Sequence, residues 1–243
     1  MTREQARRNL DRLGRRFERG HDLPDAIGAQ LSISLERLQL SFAPIYIMHR
    51  DNPDIPVGEF VDAIAKEIAA GRIGIWGGSN WSIERFDEAC TYAKENGLTA
   101  PTVLNNNLSL AQMIKPVWPG CVTSNNPETL AHLRKNNVVH VSWSSQARGF
   151  FLPEELRNRL PEATRPDVCF GGSDNEIRRA RAEELAAKYG VSAHNIATAW
   201  VLAQSFPSLA LIGPRSPGEI ASTLPGLGLD LTTEEVAWLN LEG

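Results

Sequence analysis

Residues 71–89, GRIGIWGGSNWSIERFDEA, contain the strand-to-helix turn on which the fold prediction depends. The apolar run at 73–76 predicts a short buried strand, and residues 82–89 predict the start of an amphipathic helix. Between these two elements stand Gly77, Gly78, Ser79 and Asn80. Two glycines followed by two small hydrogen-bonding residues are typical of a capped tight turn. They are also typical of a pocket floor that binds the amide of a ligand, with the glycines letting the backbone approach it.

The same alternation of apolar runs and amphipathic helices continues along the chain. Further strands are predicted at 44–49, 102–105, 138–142 and 209–212, and helices at 27–40, 57–70, 82–96, 127–136, 176–189, 192–204 and from residue 232 onward. Ser82, Asn126 and Ser192 are predicted N-caps, and Thr232 with Glu235 a capping box. Continuously apolar strands separated by helices indicate a parallel sheet covered by helices. In such folds the chemistry lies at the carboxyl ends of the strands.

Composition limits the classes of protein that this chain can represent. Its 243 residues carry a net charge of −4, which argues against a general nucleic-acid binder. No apolar run approaches the roughly 18 residues of a membrane span, so no membrane partner is expected. The three cysteines, Cys90, Cys121 and Cys169, are odd in number and widely spaced, as in reduced cytoplasmic proteins. We therefore expect the protein to be cytoplasmic.

The first 20 residues are rich in arginine and carry apolar residues at helical spacing, among them Leu10, Leu13 and Phe17. This pattern predicts an amphipathic helix with a solvated basic face. We expect residues 1–26 to form an N-terminal extension and residues 27–243 to form one domain.

Polar or aromatic side chains follow several of the predicted strands. His49 is interpreted as a structural histidine or as a hydrogen-bond donor to a substrate oxygen, and a metal site with Asp51 and Asp54 is a weaker alternative. Trp143 is either a core residue or a surface on which a flat ring stacks. After the last strand, IGPRSPGEI (212–220) places Arg215 before a short helix, as in phosphate sites. An amide pocket, a stacking surface and a phosphate site together predict binding of a nicotinamide dinucleotide.

Four segments resemble the aldo-keto reductase family, in the family's order and over residues 27–240. They are SLERLQL with IYIMHRDNPD, GRIGIWGGSNWS, VSWSSQARGFF and LALIGPRSPGEI. The resemblance implies an α/β fold of the (β/α)8 TIM-barrel type. It also implies NADP(H) as the cofactor and reduction of small-molecule aldehydes or ketones by hydride transfer.

The resemblance implies roles for individual residues as well. His49 resembles the family's active-site histidine, and Ser79 and Asn80 resemble the pair that holds the nicotinamide carboxamide. Trp143 resembles the aromatic residue that stacks on the nicotinamide ring. An arginine at position 215 implies NADP rather than NAD. The other implied cofactor contacts are Asn106, Ser144, Gln146, Arg148, Gly213 and Glu219.

Only five of the family's eight strands are recognisable, so the barrel is expected to be N-terminally truncated or remodelled. The family's Asp, catalytic Tyr and Lys would belong to the segment without a counterpart, and the tyrosines present lie within predicted strands or helices: Tyr46, Tyr92 and Tyr189. Three interpretations stay open, namely a reductase, a non-catalytic nucleotide- or partner-binding relative, and a truncated reading frame. A five-strand arc would have two open sheet edges, which predicts cover by the N-terminal helix or by a second copy in a homo-oligomer.

Overall fold

The computed structural model of the protein describes residues 23–242. The arginine-rich helix predicted near the N-terminus lies outside the described residues. Contacts between Cα atoms divide the chain into two compact units, one ending at Val103 and the other beginning at Leu104. The boundary predicted at residue 26, between an N-terminal extension and one domain, stays a prediction.

The first unit alternates helices with strands. A 3-10 turn at Pro24–Ala26 leads into α1 (Ile27–Leu38), which is followed by β1 (Ala43–Met48), α2 (Val57–Ala69), β2 (Ile73–Ser79) and α3 (Ile83–Glu95). β1 and β2 are parallel, with Ile45 opposite Ile75 and Met48 opposite Gly78. The large side chains most fully withdrawn from solvent in this unit are Phe60, Ile64, Trp76, Trp81 and Phe86.

The second unit continues the alternation after β3 (Val103–Asn105). Its elements are α4 (Pro127–Asn136), β4 (Val139–Ser142), the short α5 (Glu154–Arg157) and α6 (Asp167–Phe170), α7 (Ser173–Tyr189), α8 (Ala193–Leu202), β5 (Ser208–Ala210), α9 (Pro217–Thr223) and α10 (Thr233–Leu239). β4 and β5 are parallel, with Val141 opposite Leu209. The strand order in the sheet is that of the chain, β1-β2-β3-β4-β5. The predicted α/β class with parallel strands is confirmed.

Local capping chemistry explains where four of the ten α-helices in the described part of the chain begin, namely α3, α4, α9 and α10. The Ser82 hydroxyl accepts from the backbone N–H of Arg85 at 3.2 Å, and the Asn126 side chain accepts from that of Thr129 at 2.7 Å. Thr232 and Glu235 form the predicted capping box. Ser192 is the N-cap residue of α8, as predicted, but its hydroxyl pairs with the Asn195 side chain, at 2.9 Å, and not with a backbone N–H at the helix start. Each satisfied cap is worth about 1 kcal/mol of stability.

Burial departs from the prediction on the first strand. β1 was expected to be buried, but Ile45 is 55% exposed, and its neighbour in register, Ile75, is 41% exposed. Leu38, at the end of α1, is also exposed, at 65%. Ile45 and Ile75 are opposite each other on parallel strands, so they share one face of the β1–β2 pair, and the described residues leave that face largely open. An apolar sequence therefore marks this strand correctly without telling which of its faces is covered.

The segment between β4 and α7, where no helix was predicted from the sequence, contains two single-turn helices, α5 and α6. They are tied to each other by an ion pair in which the Arg157 guanidinium donates to the Asp167 carboxylate at 2.6 Å. Arg157 also lies 5.8 Å from the centroid of the Phe150 ring. The long connection is therefore an ordered part of the second unit.

Candidate functional site

The first unit brings three of the predicted site residues to the carboxyl ends of two neighbouring strands. Met48 and Gly78 are opposite each other, so His49 and Ser79 follow at the same end of the sheet. Ser79 is 4% exposed and its hydroxyl accepts from the Asn80 side-chain amide at 3.1 Å. His49 is exposed, and no residue among 23–242 forms a hydrogen bond with its imidazole ring. A histidine and a serine–asparagine pair are therefore presented together at one strand-end face.

Asn80 adopts a left-handed backbone conformation with φ of 58°. Asparagine tolerates this region better than most residues because its short amide can hydrogen-bond locally. The conformation helps to turn the chain between β2 and α3, which are separated by three residues. It also holds the side-chain amide of Asn80 against the hydroxyl of Ser79, which accepts from Asn80 and can still donate its own proton.

The structure corrects the interpretation of the two glycines that precede this pair. A Cβ on Gly77 would lie 1.8 Å from the carbonyl oxygen of Val103, and a Cβ on Gly78 would lie 2.5 Å from the Trp81 ring. Both positions are thus filled by the protein's own atoms. The proposal that the glycines make room for a ligand is wrong, because they make room for the neighbouring strand and for a buried indole.

Arg85, which the sequence did not single out, fixes the loop that follows His49. Its Nε donates to the Asp51 carboxylate at 3.1 Å, and one terminal nitrogen donates to the carbonyl of Ile55 at 2.6 Å. The guanidinium also lies 6.0 Å from the ring centroids of Phe60 and Trp81. Burial is the main cause that raises the pKa of Asp51, and the charge of Arg85 opposes this rise. The largely buried Arg85 therefore holds the loop at both Asp51 and Ile55.

In the second unit, asparagines connect the end of β3 to the end of β4. The backbone carbonyl oxygen of the buried Asn106 accepts a hydrogen bond from the backbone N–H of Trp143 at 3.2 Å. The fully buried Asn107 donates from its side chain to the carbonyl of Trp143 at 3.1 Å and accepts from the Thr123 hydroxyl at 3.2 Å. Asn107 was missed by the sequence analysis, although it belongs to the conspicuous run Asn105–Asn106–Asn107. The backbone N–H and the backbone carbonyl of Trp143 are thus both hydrogen-bonded to asparagines.

Trp143 itself is half-buried, and its ring lies beside that of Trp118, with the centroids 6.0 Å apart and the planes at 51°. The indole N–H of Trp143 is buried and has no hydrogen-bond acceptor among residues 23–242. Trp118 is 52% exposed and in turn lies 5.5 Å, centroid to carbon, from the guanidinium of Arg148. No sequence signal marked Trp118, because nothing in its loop reveals which strand end it reaches.

The loop after β4 has an unusual backbone. Ser144, Ala147 and Arg148 have φ values of 51°, 48° and 56°, and Gly149 follows at 90°. Left-handed non-glycine residues cost of order 1 kcal/mol or more each and are concentrated at functional sites. The hydroxyl of Ser145 donates to the carbonyl of Leu211 at 2.7 Å, which joins this loop to the end of β5.

Gln146 and Arg148, two of the cofactor contacts that the family resemblance implies, are placed differently from each other. The Gln146 side-chain amide donates to the hydroxyls of Thr198 and Thr223, at 3.0 and 3.2 Å. Both of its N–H donors therefore point to the protein. Arg148 is exposed, and no carboxylate of the described residues pairs with it. Of these two side chains, that of Arg148 has N–H donors left for an anion.

The segment after β5 presents a second cation. Arg215 is exposed, and its guanidinium pairs with no carboxylate among the described residues. Its backbone N–H donates to the Glu219 carboxylate at 2.7 Å, while the Ser216 hydroxyl accepts from the N–H of Glu219 at 3.3 Å. A Cβ on Gly213 would meet no described atom within 4 Å. Glu219 thus caps the start of α9, and the surface around Gly213 and Arg215 is open.

None of the three tyrosines stands at the carboxyl end of a strand in the described part of the chain. Tyr46 lies within β1, where burial raises its pKa, helped by the charge of Glu67. The Tyr92 hydroxyl donates to Asp62 at 3.1 Å. The Tyr189 hydroxyl donates to Glu235 at 2.8 Å. Each hydrogen bond to a carboxylate raises the pKa of its phenol, away from the range useful for donating a proton near neutral pH.

The described part of the chain has neither a metal-binding cluster nor a membrane-crossing helix. Within residues 23–242, no group of three or more histidines, cysteines or acidic residues is arranged to hold a metal ion. None of the helices in that range has the length and apolar character that a membrane crossing requires. All three cysteines are unbridged thiols.

Comparison with known proteins agrees with the arrangement of the strands. The model of the aldo/keto reductase family matches residues 18–240. The chain is 26% identical over 219 residues to aldo-keto reductase YhdN of Bacillus subtilis, covering 85% of this chain and 60% of that protein. It is 24% identical over 216 residues to the uncharacterized oxidoreductase YrpG of the same organism, covering 88% of this chain and 62% of YrpG.

Solved structures support the fold. A thermostable aldo-keto reductase in complex with the inhibitor epalrestat aligns with a TM-score of 0.68 at 21% identity, covering 92% of this chain and 68% of that one. An aldo/keto reductase of Klebsiella pneumoniae in complex with NADP and acetate aligns with a TM-score of 0.63 at 21% identity, covering 89% and 64%. These likenesses confirm the predicted α/β fold of the (β/α)8 barrel type.

The chain spans about 60 to 66% of the length of the curated relatives that it matches. The match to the family model nevertheless extends over most of the sequence, from residue 18 to residue 240. It contains both strand-end clusters described above, with His49 and Ser79 in one and Trp143 and Arg215 in the other. The chain is therefore a member of the aldo/keto reductase family.

Proposed function

We propose that the protein binds NADP(H) at the carboxyl ends of its strands and that its activity is the reduction of small aldehydes or ketones. The observation that carries this proposal is the pair of exposed guanidinium groups, on Arg148 and Arg215, that follow the parallel neighbours β4 and β5. Neither has a carboxylate partner among the described residues. Exposed arginines without acidic partners are suited to phosphate, which they bind through paired N–H donors.

The residues present fit a dinucleotide. Trp143 offers a half-buried indole for stacking on a flat ring, and its buried N–H has no acceptor within the described chain. Ser79 and Asn80 form a hydroxyl–amide pair suited to a carboxamide, which has both a donor and an acceptor. Arg215 would hold the adenosine-side phosphate of NADP, and Asn106, Ser144 and Gly213 are the other residues proposed to face the cofactor. A neighbour in fold was crystallised with NADP.

Two of the residues proposed to contact the cofactor already have hydrogen-bond partners within the protein. Gln146 already donates both amide protons to threonine hydroxyls, so its carbonyl oxygen is what it offers to a ligand. The Glu219 carboxylate already accepts from the backbone of Arg215. We propose that Glu219 acts near the adenosine end mainly by fixing the loop that presents Arg215.

The cofactor, when bound, supplies a hydride to a carbonyl carbon. The chain must then bind the carbonyl oxygen and provide a proton. His49 is the residue proposed for this role, since its imidazole is exposed at the end of β1 beside Ser79. Proton donation by a well-placed general acid is worth about 10²–10⁴-fold in rate. The tyrosines within residues 23–242 are placed elsewhere.

A second function, cofactor binding without turnover, is favoured by that placement of the tyrosines. Two measurements separate the two functions. Isothermal titration with NADPH and with NADH tests binding, and an assay of NADPH oxidation with a panel of aldehydes and ketones tests chemistry. Binding with turnover that falls in His49→Gln supports the reductase. Binding without turnover supports the non-catalytic relative.

The cofactor proposal itself has a matched set of variants. Arg215→Gln should weaken NADPH roughly tenfold, because a charge-assisted hydrogen bond is worth about 1.5–3 kcal/mol, and should leave NADH nearly unchanged. Arg159→Gln, an exposed arginine on the same unit, serves as the control and should change neither. Trp143→Ala should weaken both cofactors. If the titration with NADPH and the titration with NADH both give no heat, the proposal of NADP(H) binding is refuted.

A further inference from the structure

We infer that Trp118 is a positioning residue of the cofactor site: it holds the Arg148 guanidinium where it can donate to the pyrophosphate of the dinucleotide. The inference rests on the proposed function. It deepens that function by assigning a role to a residue outside the set derived from the family resemblance. Three observations on the second unit carry it.

The first observation is the contact itself. The guanidinium carbon of Arg148 lies 5.5 Å from the Trp118 ring centroid. A cation–π contact uses no N–H donor, so all five donors of the guanidinium stay available for an anion. A carboxylate partner would instead occupy those donors and cancel the charge, and no described carboxylate takes this place.

The second observation is that the backbone of Arg148 is fixed. Ala147 and Arg148 are both left-handed, and the N–H of Ala147 donates to the carbonyl of Ser144 at 2.8 Å while that of Phe150 donates to Ala147 at 3.1 Å. Phe150 is fully buried. The side chain of Arg148 therefore starts from a fixed point, and within residues 23–242 its charged end contacts the Trp118 ring.

The third observation is that Trp118 is itself anchored although its ring is half exposed. The N–H of Cys121 donates to the carbonyl of Trp118 at 3.2 Å. Shortly after it, the N–H of Ser124 donates to the carbonyl of Asn107 at 2.7 Å. The ring also lies 6.0 Å from that of Trp143. Trp118 thus links the proposed stacking residue to the proposed pyrophosphate cation.

A double-mutant cycle tests the inference, with dissociation constants for NADPH measured by isothermal titration. Trp118→Ala should weaken NADPH roughly two- to fivefold, the range expected of an exposed cation–π contact. Arg148→Ala should weaken it roughly tenfold. In the Arg148→Ala background, Trp118→Ala should have no further effect, because Trp118 acts through Arg148. Trp118→Phe should recover most of the affinity, since it keeps an aromatic face.

The second unit contains a matched control. Arg181 lies 4.9 Å from the ring centroid of Trp238, a second Arg–Trp pair on helices α7 and α10. Trp238→Ala should leave NADPH affinity unchanged. Circular dichroism of every variant verifies that the fold is kept.

The outcomes separate the inference from the proposed function. If wild-type protein gives no heat with NADPH, both are overturned. If the wild type binds but Trp118→Ala binds equally well, or weakens binding by the same factor with and without Arg148, only the positioning role is overturned. Failure of Trp118→Phe to recover affinity would also count against it.

Discussion

Acidification should destabilise this protein through one buried histidine, His140 on β4. Its ring is fully buried, with Nδ1 at 2.8 Å from the Ser142 hydroxyl and Nε2 at 3.0 Å from the Ser124 hydroxyl. Removal from water lowers the pKa of His140 from 6.5 to about 3. The folded protein therefore keeps the ring neutral over a pH range in which the unfolded chain protonates it.

The sign and size of the effect follow from proton linkage. Between the folded pKa of about 3 and the unfolded value of 6.5, the unfolded state binds more protons, so the free energy of unfolding falls as pH falls. The loss is about 1.4 kcal/mol for each pH unit below about 6.5. Between about pH 7.5 and about pH 5, His140 alone should cost about 2 kcal/mol. This figure holds for any folded pKa well below 5.

Urea unfolding followed by tryptophan fluorescence at the two pH values measures the loss. His140→Gln keeps a hydrogen-bonding side chain that does not titrate, so it isolates the histidine from all other groups. The variant should lose about 2 kcal/mol less than the wild type between the two pH values. Equal pH dependence of wild type and variant would refute the argument that burial keeps His140 neutral.

Three further predictions concern packing and assembly. Gly77→Ala should destabilise the protein by about 3 kcal/mol or more, because the added methyl group would overlap the carbonyl of Val103. Gly213→Ala should be nearly neutral, since no described atom lies within 4 Å of the added methyl group. Chemical unfolding of the two variants measures the difference. Arg85→Leu should cost about 3–5 kcal/mol in the same assay, since it leaves a half-buried carboxylate and loop carbonyls without their donor, and a loss under 1 kcal/mol would contradict this. If a second copy covers the exposed face of β1, Ile45→Lys should lower the mass measured by light scattering, and an unchanged mass would contradict this.

Sequence patterns were sufficient where structure is decided locally. Asn126 and the pair Thr232–Glu235 cap their helices as predicted, because a cap involves residues only three positions apart. Ser192 takes the predicted N-cap position, but Asn195, three residues on, supplies a side-chain partner that replaces the capping hydrogen bond. The type and order of the strands also followed from sequence, since apolar runs bounded by helices leave few alternatives.

Burial and contacts between distant segments could not be predicted in the same way. The sequence of β1 is apolar whether or not a further layer covers it, so the exposure of Ile45 depends on neighbours that the run itself does not specify. The partners of Gln146, Thr198 and Thr223, are more than fifty residues away along the chain. Trp118 likewise meets Arg148 only through the fold.

The close approach of Gly77 to Val103 has a consequence for how related sequences should be compared. Glycine is required there by strand packing, so a relative that had lost every use for a dinucleotide would still retain it as long as it kept the same sheet. Gly78 is required in the same way by the ring of Trp81. A search pattern built on Gly-Gly-Ser-Asn therefore detects the fold through its two glycines. We propose that the Ser-Asn half is the part that distinguishes chains that bind the cofactor from chains that share only the architecture.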